Sequence, residues 1–398
     1  MLAAALLART GATMVGLSMG FVAYEQTASA FTVAVVAASF GLAFAASSLI
    51  AGHVLARIGL RAMLVGALAS QFAGALALAS VTSTAGADVT WLTIFSVVAG
   101  LASALIFVGS QMLLHGVAPG DHLQRVVSLD SATASLSRIG GPALGGVLLA
   151  AIGVPPVFLI AAFCYLPLLA VVAILAVSVN DQRPAHRPRL RDAARFFRQL
   201  AILRWALLTA ALAELIALPL VQMMPAVTES LNRDAADRLG ILVACVAVGS
   251  LGQVLVIEWL RARHDTRVVV GVVYAAAGAL LLGLALDEEL FVAGALLVAF
   301  GLTVSIGRTM LLTSVHVASP DSHRAHVLSL YIFVTSVATP IGALLWGVVA
   351  DWLNIDATLG GAGVLLMLGI GAGLISILRH EAAAPPAAVS EMAKTPGG

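Results

Sequence analysis

Charged residues are scarce in this sequence. They make up 10% of the 398 residues, whereas apolar residues make up 61%. Soluble globular proteins carry about 25% charged residues, so this composition excludes an ordinary soluble domain and predicts an integral membrane protein whose main partner is the lipid bilayer. The net charge is only +1, which gives no electrostatic reason to expect a nucleic-acid partner.

Cysteine is nearly absent as well. Cys164 and Cys245 both lie within apolar runs, so they supply neither a disulfide framework nor a zinc site, and we interpret them as small packing residues. The sequence also lacks a nucleotide-binding P-loop and an HExxH motif. These absences argue against transport driven by nucleotide hydrolysis and against a membrane enzyme. We expect no cofactor, no metal and no catalytic residues.

Long apolar runs are abundant by contrast. A membrane-spanning helix needs about 20 apolar residues. No basic leader precedes the first run, so we expect that run to remain as a helix. The predicted fold class is an all-α integral membrane protein with twelve transmembrane helices, at residues 3–24, 31–52, 62–83, 90–114, 127–151, 156–179, 202–225, 239–259, 268–286, 290–314, 327–349 and 358–378.

The basic residues predict which side each loop occupies. An even number of spans places both termini on one side of the membrane. With the termini inside, 16 of the 21 Lys and Arg residues fall in cytoplasmic segments and only Arg233 and Arg238 fall in outer loops. This distribution follows the positive-inside rule. We therefore expect a multi-pass protein of a bacterial-type inner membrane with both termini in the cytoplasm.

Residues 180–201 form the only sizeable break between spans, and they contain six arginines. Two interpretations remain open for this cytoplasmic linker: an amphipathic helix on the anionic inner leaflet, or a polar tether that fixes orientation. The linker separates an N-terminal six-helix half, residues 1–179, from a C-terminal half, residues 202–378. Residues 379–398 have the composition of a disordered cytoplasmic tail.

The two halves resemble each other in sequence. Residues 99–148 and 300–349, aligned without gaps at a shift of 201 positions, have 13 identities in 50 pairs, among them Gly141 with Gly342 and Gly146 with Gly347. By chance, two segments of such an apolar composition would have identical residues at roughly one aligned pair in ten. Both copies have the same predicted orientation, so the sequence predicts two parallel six-helix pseudo-repeats related by an axis along the membrane normal.

Several stretches resemble a known family. They are Leu7-Ala8-Arg9, the segment from Gly52 to Arg61, Gly141-Pro142-Ala143-Leu144-Gly145-Gly146, Met224-Pro225-Ala226-Val227 and Gly249-Ser250-Leu251-Gly252. The chain up to residue 378 resembles the major facilitator superfamily (MFS) and, within it, the bacterial drug and enterobactin exporters. The resemblance implies the MFS fold, a monomer, a small-molecule substrate and a central cavity lined by the first, fourth, seventh and tenth spans.

The sequence departs from that family at three positions. Ala56 stands where the family usually has an aspartate before the arginine between the second and third spans. Ser96 and Ala99 stand where proton-coupled drug exporters often have arginine and glutamine. These differences weaken a standard proton/drug antiport interpretation and leave the coupling ion, a proton or another, open.

Glycine and arginine mark two segments as candidates for gating. In the fifth span, Gly141 and Gly145 are four residues apart, so they form one small-residue face that allows another helix to approach closely; Gly146 adds a further small residue. Pro142 is expected to kink this span. Between the second and third spans, Gly52 and Gly59 permit a tight turn, whereas Arg57 and Arg61 fit a cytoplasmic gate or a topology anchor.

Charged residues inside the spans are the candidates for substrate binding and ion coupling. At about 1.5 Å per residue, Arg9 and Arg308 lie about 9 Å from the inner surface, and Arg138 and Glu214 about 17–18 Å. We hypothesise that Glu214 is either a proton-coupling carboxylate or a counter-ion for Arg138, and that the arginines attract an anionic substrate group. A static ion pair that fixes helix packing is the alternative.

Together these features predict a secondary active transporter that exports a small organic molecule, drug-like or siderophore-like, by alternating access. An importer of a small metabolite is the first alternative, because the fold does not set the direction of transport. A non-transporting membrane sensor and a polytopic membrane enzyme are alternatives of a different class.

Overall fold

The computed structural model describes residues 1–84, 88–117, 123–174, 201–230, 235–286, 289–319 and 324–382. Within these ranges the chain is almost entirely helical and has no strand. The helices are α1 (Leu2–Thr27), α2 (Ala30–Ile58), α3 (Leu60–Thr84), α4 (Val89–Val117), α5 (Leu123–Ile152), α6 (Val154–Ile174), α7 (Ala201–Ile216), α8 (Pro219–Gln222), α9 (Met224–Ser230), α10 (Ala235–Arg263), α11 (Thr266–Leu286), α12 (Leu290–Ala318), α13 (Arg324–Trp352) and α14 (Ile355–Ala382).

These helices correspond one to one with the twelve predicted spans, except that the seventh span consists of α7, α8 and α9. Eleven helical segments of the described chain are long and apolar enough to cross a membrane. The remaining long helix is α5, which has 30 residues and an apolar stretch at Leu136–Ile152. Most helices extend a few residues beyond the predicted bounds, because apolar runs mark the membrane core and helices continue past it.

The seventh span is interrupted, which the sequence prediction of one continuous span at 202–225 did not include. The Ala213 carbonyl accepts hydrogen bonds from both Ala217 N and Leu218 N, at 2.8 and 3.3 Å, and the helix restarts at Pro219. Proline has no N–H, so Pro219 cannot bond to the Leu215 carbonyl four residues earlier. That carbonyl instead faces Gly342, where an added Cβ would lie 2.1 Å from it.

The packing inside each half follows one pattern. In the first half α1 packs against α5 and α6, α3 against α4 and α6, and α2 against α4. The second half repeats these pairs with α7 against α13 and α14, α11 against α12 and α14, and α10 against α12. The chain is therefore built from two parallel six-helix repeats, and the halves meet along two seams, α5 with α10 and α2 with α13.

The segments outside the helical halves are only partly described. The predicted cytoplasmic linker, residues 180–201, lies outside the described residues except for Ala201, which begins α7. The predicted tail begins at residue 379, but α14 continues to Ala382, so its first four residues are helical. Residues 383–398 lie outside the described chain.

Candidate functional site

The helix directions define two faces of the molecule. The start of α1, the turn at Gly59 between α2 and α3, and the end of α14 share one face, called here the terminal face. The turns between α1 and α2 and between α13 and α14 lie at the other, called here the opposite face. Depth in the membrane can then be read as distance along a helix from the terminal face.

An ion pair joins α7 to α12 inside the second half. Arg308 Nε lies 2.9 Å from Glu214 Oε1, and Thr339 on α13 donates a 2.6 Å hydrogen bond to Glu214 Oε2. The Glu214 side chain is 6% exposed, whereas that of Arg308 is 39% exposed. The carboxylate is thus enclosed by three helices, and the guanidinium lies between it and the accessible space.

This pairing differs from one of the two sequence hypotheses for Glu214, in which it was a counter-ion for Arg138. The predicted tenth span ended at residue 314 and left Arg308 six residues from the inner surface, but α12 continues to Ala318, ten residues beyond Arg308. Arg308 is therefore about 15 Å from the end of its helix, close to the depth of Glu214, about 20 Å from the start of α7. The long arginine side chain spans the remaining difference.

A second ion pair joins α1 to α5 inside the first half. Arg9 Nη1 lies 2.8 Å from Asp130 Oδ1, and Nη2 donates to Oδ2 at 3.0 Å. Nη1 also donates to the Asp130 carbonyl and the Thr133 hydroxyl, at 3.2 and 3.0 Å. The Asp130 side chain is 4% exposed and that of Arg9 20%. This bidentate, mostly buried arrangement holds the guanidinium in place and fixes α1 against α5.

Arg138 on α5 is placed differently from these two arginines. Its side chain is exposed, and among the described residues it has no hydrogen bond or ion pair. The charged groups that act on it electrostatically are Arg308, Glu214 and Arg9. Because two of these groups belong to the second half, the Arg138 side chain faces the space between the halves.

Two tyrosines complete the surroundings of the Glu214–Arg308 pair. Tyr274 on α11 and Tyr331 on α13 are both buried and both interact electrostatically with Glu214 and Arg308. The Tyr274 hydroxyl has no hydrogen-bond partner among the described residues. It packs against Gly307, where an added Cβ would lie 3.0 Å from the hydroxyl oxygen. A buried donor thus lies next to the residue that precedes Arg308.

The two halves are joined at the opposite face by Asp351, at the end of α13. Its Oδ2 accepts a 2.6 Å hydrogen bond from the Ser29 hydroxyl, and its Oδ1 accepts from Ala30 N and Phe31 N at 2.9 and 3.3 Å. These groups form the N-terminus of α2, so a carboxylate of one half caps a helix of the other. Tyr24 on α1 also interacts electrostatically with Glu229 on α9 and with Asp351.

Several glycines lie at close approaches between the halves. An added Cβ at Gly146 on α5 would lie 2.3 Å from Gly240 Cα on α10, and one at Gly347 would lie 2.6 Å from Ala34 Cβ. Nearer the middle of the seam, an added Cβ at Gly41 would lie 2.3 Å from Pro340 Cγ. In the described part of the chain, these contacts and the hydrogen bonds between the halves lie from mid-depth to the opposite face.

Two comparisons of sequence decide the family. A family model described as "Transmembrane secretion effector" matches residues 1–396. The chain is also 26% identical over 303 residues to the "uncharacterized MFS-type transporter YfiS" of Bacillus subtilis (strain 168), covering 71% of this chain and 69% of that protein. The chain belongs to the major facilitator superfamily. It is therefore a multi-pass membrane transporter of the MFS type and not an enzyme.

Solved MFS transporter structures share the fold. A point mutant of the nucleoside transporter NupG superposes with a TM-score of 0.74 at 14% identity, covering 94% of this chain and 99% of that one. A bacterial homologue of the human lysosomal transporter Spinster, inward-facing and occupied, gives a TM-score of 0.70 at 12% identity, covering 94% and 96%. At these identities the comparisons establish the twelve-helix MFS fold, and the finer assignment to drug and enterobactin exporters remains a prediction.

The fourth span of this MFS transporter carries no charge where proton-coupled drug exporters often have an arginine. Ser96 is buried there and donates a 2.6 Å hydrogen bond to the Val36 carbonyl on α2. Close packing surrounds it, since an added Cβ at Gly100 would lie 2.3 Å from the Phe40 carbonyl oxygen. Helix α4 is thus held tightly to α2, and Ser96 does not add a charge to the central site.

The predicted motif between the second and third spans is mostly helical. Helix α2 runs to Ile58, so Gly52 lies inside it, and the turn is made by Gly59 alone, with φ +80°. Arg57 is exposed in the last turn of α2, and Arg61 donates a hydrogen bond to the Ala173 carbonyl at the end of α6. Neither arginine has a hydrogen bond or ion pair with the second half among the described residues, so a gating role for them stays a prediction.

The small-residue face of the fifth span packs inside its own half. An added Cβ at Gly141 would lie 1.8 Å from Thr13 Oγ1, and one at Gly145 would lie 3.3 Å from Met14 Cα. Gly146 instead faces the second half. Helix α5 continues through Pro142. Its counterpart α13 also contains a proline, Pro340, three positions earlier in the repeat alignment.

Sequence reasoning missed three polar residues at these sites. Asp130 gave a usable signal, because it is an acidic residue inside an apolar run, but it lies three residues from the predicted start of its span, where a carboxylate is easily taken as interfacial. Asp351 follows the predicted eleventh span by two residues and resembles an ordinary loop residue. Thr339 gives no signal at all, since threonine is common in apolar helices.

Proposed function

We propose that this MFS transporter is a secondary active exporter of a small organic molecule that works by alternating access. The observation that carries the proposal is the Glu214–Arg308 pair, enclosed within the second half and next to the space between the halves. Intramembrane ionisable residues are costly and are retained where they bind substrate or carry a coupling ion. A static structural pair does not need one partner to be 39% exposed.

The state of the molecule fits the loading step of such a cycle. The hydrogen bonds and glycine contacts between the halves lie toward the opposite face, which the positive-inside rule predicts to lie outside the cell. A substrate would then enter from the cytoplasmic side and reach Arg138 and Arg308. Export is supported by the family description, which refers to secretion.

Glu214 is our candidate for the coupling carboxylate. Protonation of Glu214 would remove the negative charge that now neutralises Arg308. Proton binding would thus change the net charge of the space in which the substrate is bound. Among the described residues Asp130 is the other buried intramembrane carboxylate, but its contacts with Arg9 lie inside one half.

Compound accumulation tests the direction and the coupling. Cells with and without the protein are compared for accumulation of a compound panel at two external pH values. Export lowers accumulation in cells that contain the protein, whereas higher accumulation would favour the importer alternative.

Glu214→Gln tests the coupling residue, because it keeps an acceptor for Thr339 and removes the charge. We expect transport by this variant to lose its pH dependence. Glu258→Gln, an exposed carboxylate near the end of α10, is the matched control. Unchanged pH dependence in Glu214→Gln would remove Glu214 from the coupling role.

A further inference from the structure

The charges inside the described spans do not balance. Five charged side chains lie at least seven residues from either end of their span: Arg9, Asp130, Arg138, Glu214 and Arg308. Arg9 pairs with Asp130, and Arg308 pairs with Glu214. One positive charge is therefore left, on Arg138, which is exposed and has no partner in the described part of the chain.

We propose that Arg138 binds the negative group of an organic monoanion, and that this bound anion allows the two halves to close over the site. The proposal rests on the proposed transport function and names the chemical class of its substrate. A carboxylate or similar group suits a guanidinium because it can accept two parallel hydrogen bonds.

The surroundings of Arg138 favour an anion of this kind. On α5 the residues four positions before and after it, Ala134 and Pro142, are small or compact, so they leave room beside the guanidinium. Two charged residues of the second half, Glu214 and Arg308, act on Arg138 electrostatically across the gap. An organic anion can accept from Arg138 and place a second polar group toward the second half.

Closure is the step in which the anion matters most. Arg138 is now exposed, so water can solvate it. When the halves close on the terminal face, that water is excluded, and an uncompensated cation in a low-dielectric environment strongly disfavours the closed state. A bound monoanion cancels the charge, so closure becomes favourable only with substrate present. Such a dependence prevents empty cycling in that direction.

Glu214 could in principle cancel the same charge by leaving Arg308 for Arg138 during closure. That exchange would free Arg308 and leave the count of unpaired cations unchanged. These five charged side chains include no further anion, so an external anion is still needed to neutralise the site.

Matched probes test the binding site. The purified protein in detergent is titrated at pH 7.5 with benzoate, salicylate and nicotinate and with their neutral amides, benzamide, salicylamide and nicotinamide, and thermal stabilisation is followed. We expect at least one carboxylate to stabilise the wild type in a saturable way and its amide to have no effect. Stabilisation by the amide as strong as by the carboxylate, or by none of the carboxylates, would overturn the proposal.

Variants assign the binding to Arg138. Arg138→Gln should weaken carboxylate binding about 10- to 100-fold, because a charge-assisted contact is lost. Arg204→Gln removes an exposed arginine near the start of α7 and should leave binding unchanged. If Arg138→Gln does not fold, Arg138→Lys is measured in its place. Carboxylate binding should be weaker in this variant as well, since lysine keeps the charge and loses the bidentate geometry. Wild-type affinity in a folded Arg138 variant would refute the assignment.

Spin labels test the closure step. With Cys164 and Cys245 replaced by serine, labels at His53 and His316, exposed near the terminal face on different halves, report its opening. The bound carboxylate should shift the distances to shorter values in the wild type, and Arg138→Gln should populate those shorter distances without it. Carboxylate binding without any transport would support the anion site and refute the exporter proposal. Export of neutral compounds that does not depend on Arg138 would support the exporter proposal and refute the anion site.

Discussion

Asp351→Ala should release the two halves from each other at the opposite face. In the structure its carboxylate accepts three hydrogen bonds from the first residues of α2 in the other half: from Ser29 Oγ at 2.6 Å, Ala30 N at 2.9 Å and Phe31 N at 3.3 Å. Ser29 itself also accepts from Thr32 N at 3.2 Å. Helix α2 therefore keeps its own cap after the substitution, and the change acts mainly on the contact between the halves.

The magnitude follows from capping energies. Loss of a helix-capping side chain costs about 1 kcal/mol, and loss of a carboxylate next to an exposed helix N-terminus costs about 0.3–1 kcal/mol more. A total of about 1–2 kcal/mol changes a population ratio about 5- to 30-fold. Asp351→Asn keeps an acceptor oxygen and loses only the charge, so its shift should be smaller, about two- to fivefold.

Distances between spin labels at the opposite face measure this population. Labels at Thr90 on α4 and Ala357 on α14 lie on different halves at exposed positions, again with both native cysteines replaced by serine. We expect the longer distances to gain weight in Asp351→Ala and to gain less in Asp351→Asn. Asp356→Ala is the control, because it removes an exposed carboxylate in the first turn of α14. Identical distance distributions in Asp351→Ala and wild type would show that the Asp351 hydrogen bonds do not hold the halves together at the opposite face.

Two further substitutions test packing and pairing. Gly146→Ala should destabilise this conformation by about 1–3 kcal/mol, because its Cβ would lie 2.3 Å from Gly240 Cα. The Cβ of the control variant Gly140→Ala meets nothing within 4 Å, so that change should be neutral or stabilising. Equal melting temperatures of the two variants in detergent would contradict this prediction. Asp130→Asn should lower the free energy of unfolding by about 3 kcal/mol or less, since it leaves Arg9 without its counter-ion. Adding Arg9→Gln should restore part of the lost stability. No recovery in the double variant would show that the loss does not come from the unpaired Arg9.

The candidate site was only partly predictable. The sequence marked Arg9, Arg138, Glu214 and Arg308, because a charge in an apolar run is conspicuous whatever the fold. It did not predict the pairing of Glu214 with Arg308, since these residues are 94 positions apart and their contact depends on how far α12 extends beyond the apolar run. It also missed Asp351, whose role arises only where the end of α13 meets the start of α2.

The sequence by itself determined the number of spans, the two parallel repeats and the family, and it predicted which face carries the termini. These features depend on local composition, because the bilayer requires a run of apolar residues of fixed length wherever a helix crosses it. The tertiary structure decided the partners. Helix rotation, helix ends and the break in the seventh span determine which side chains meet. The same packing pairs two of the three intramembrane arginines and leaves Arg138 facing the space between the halves.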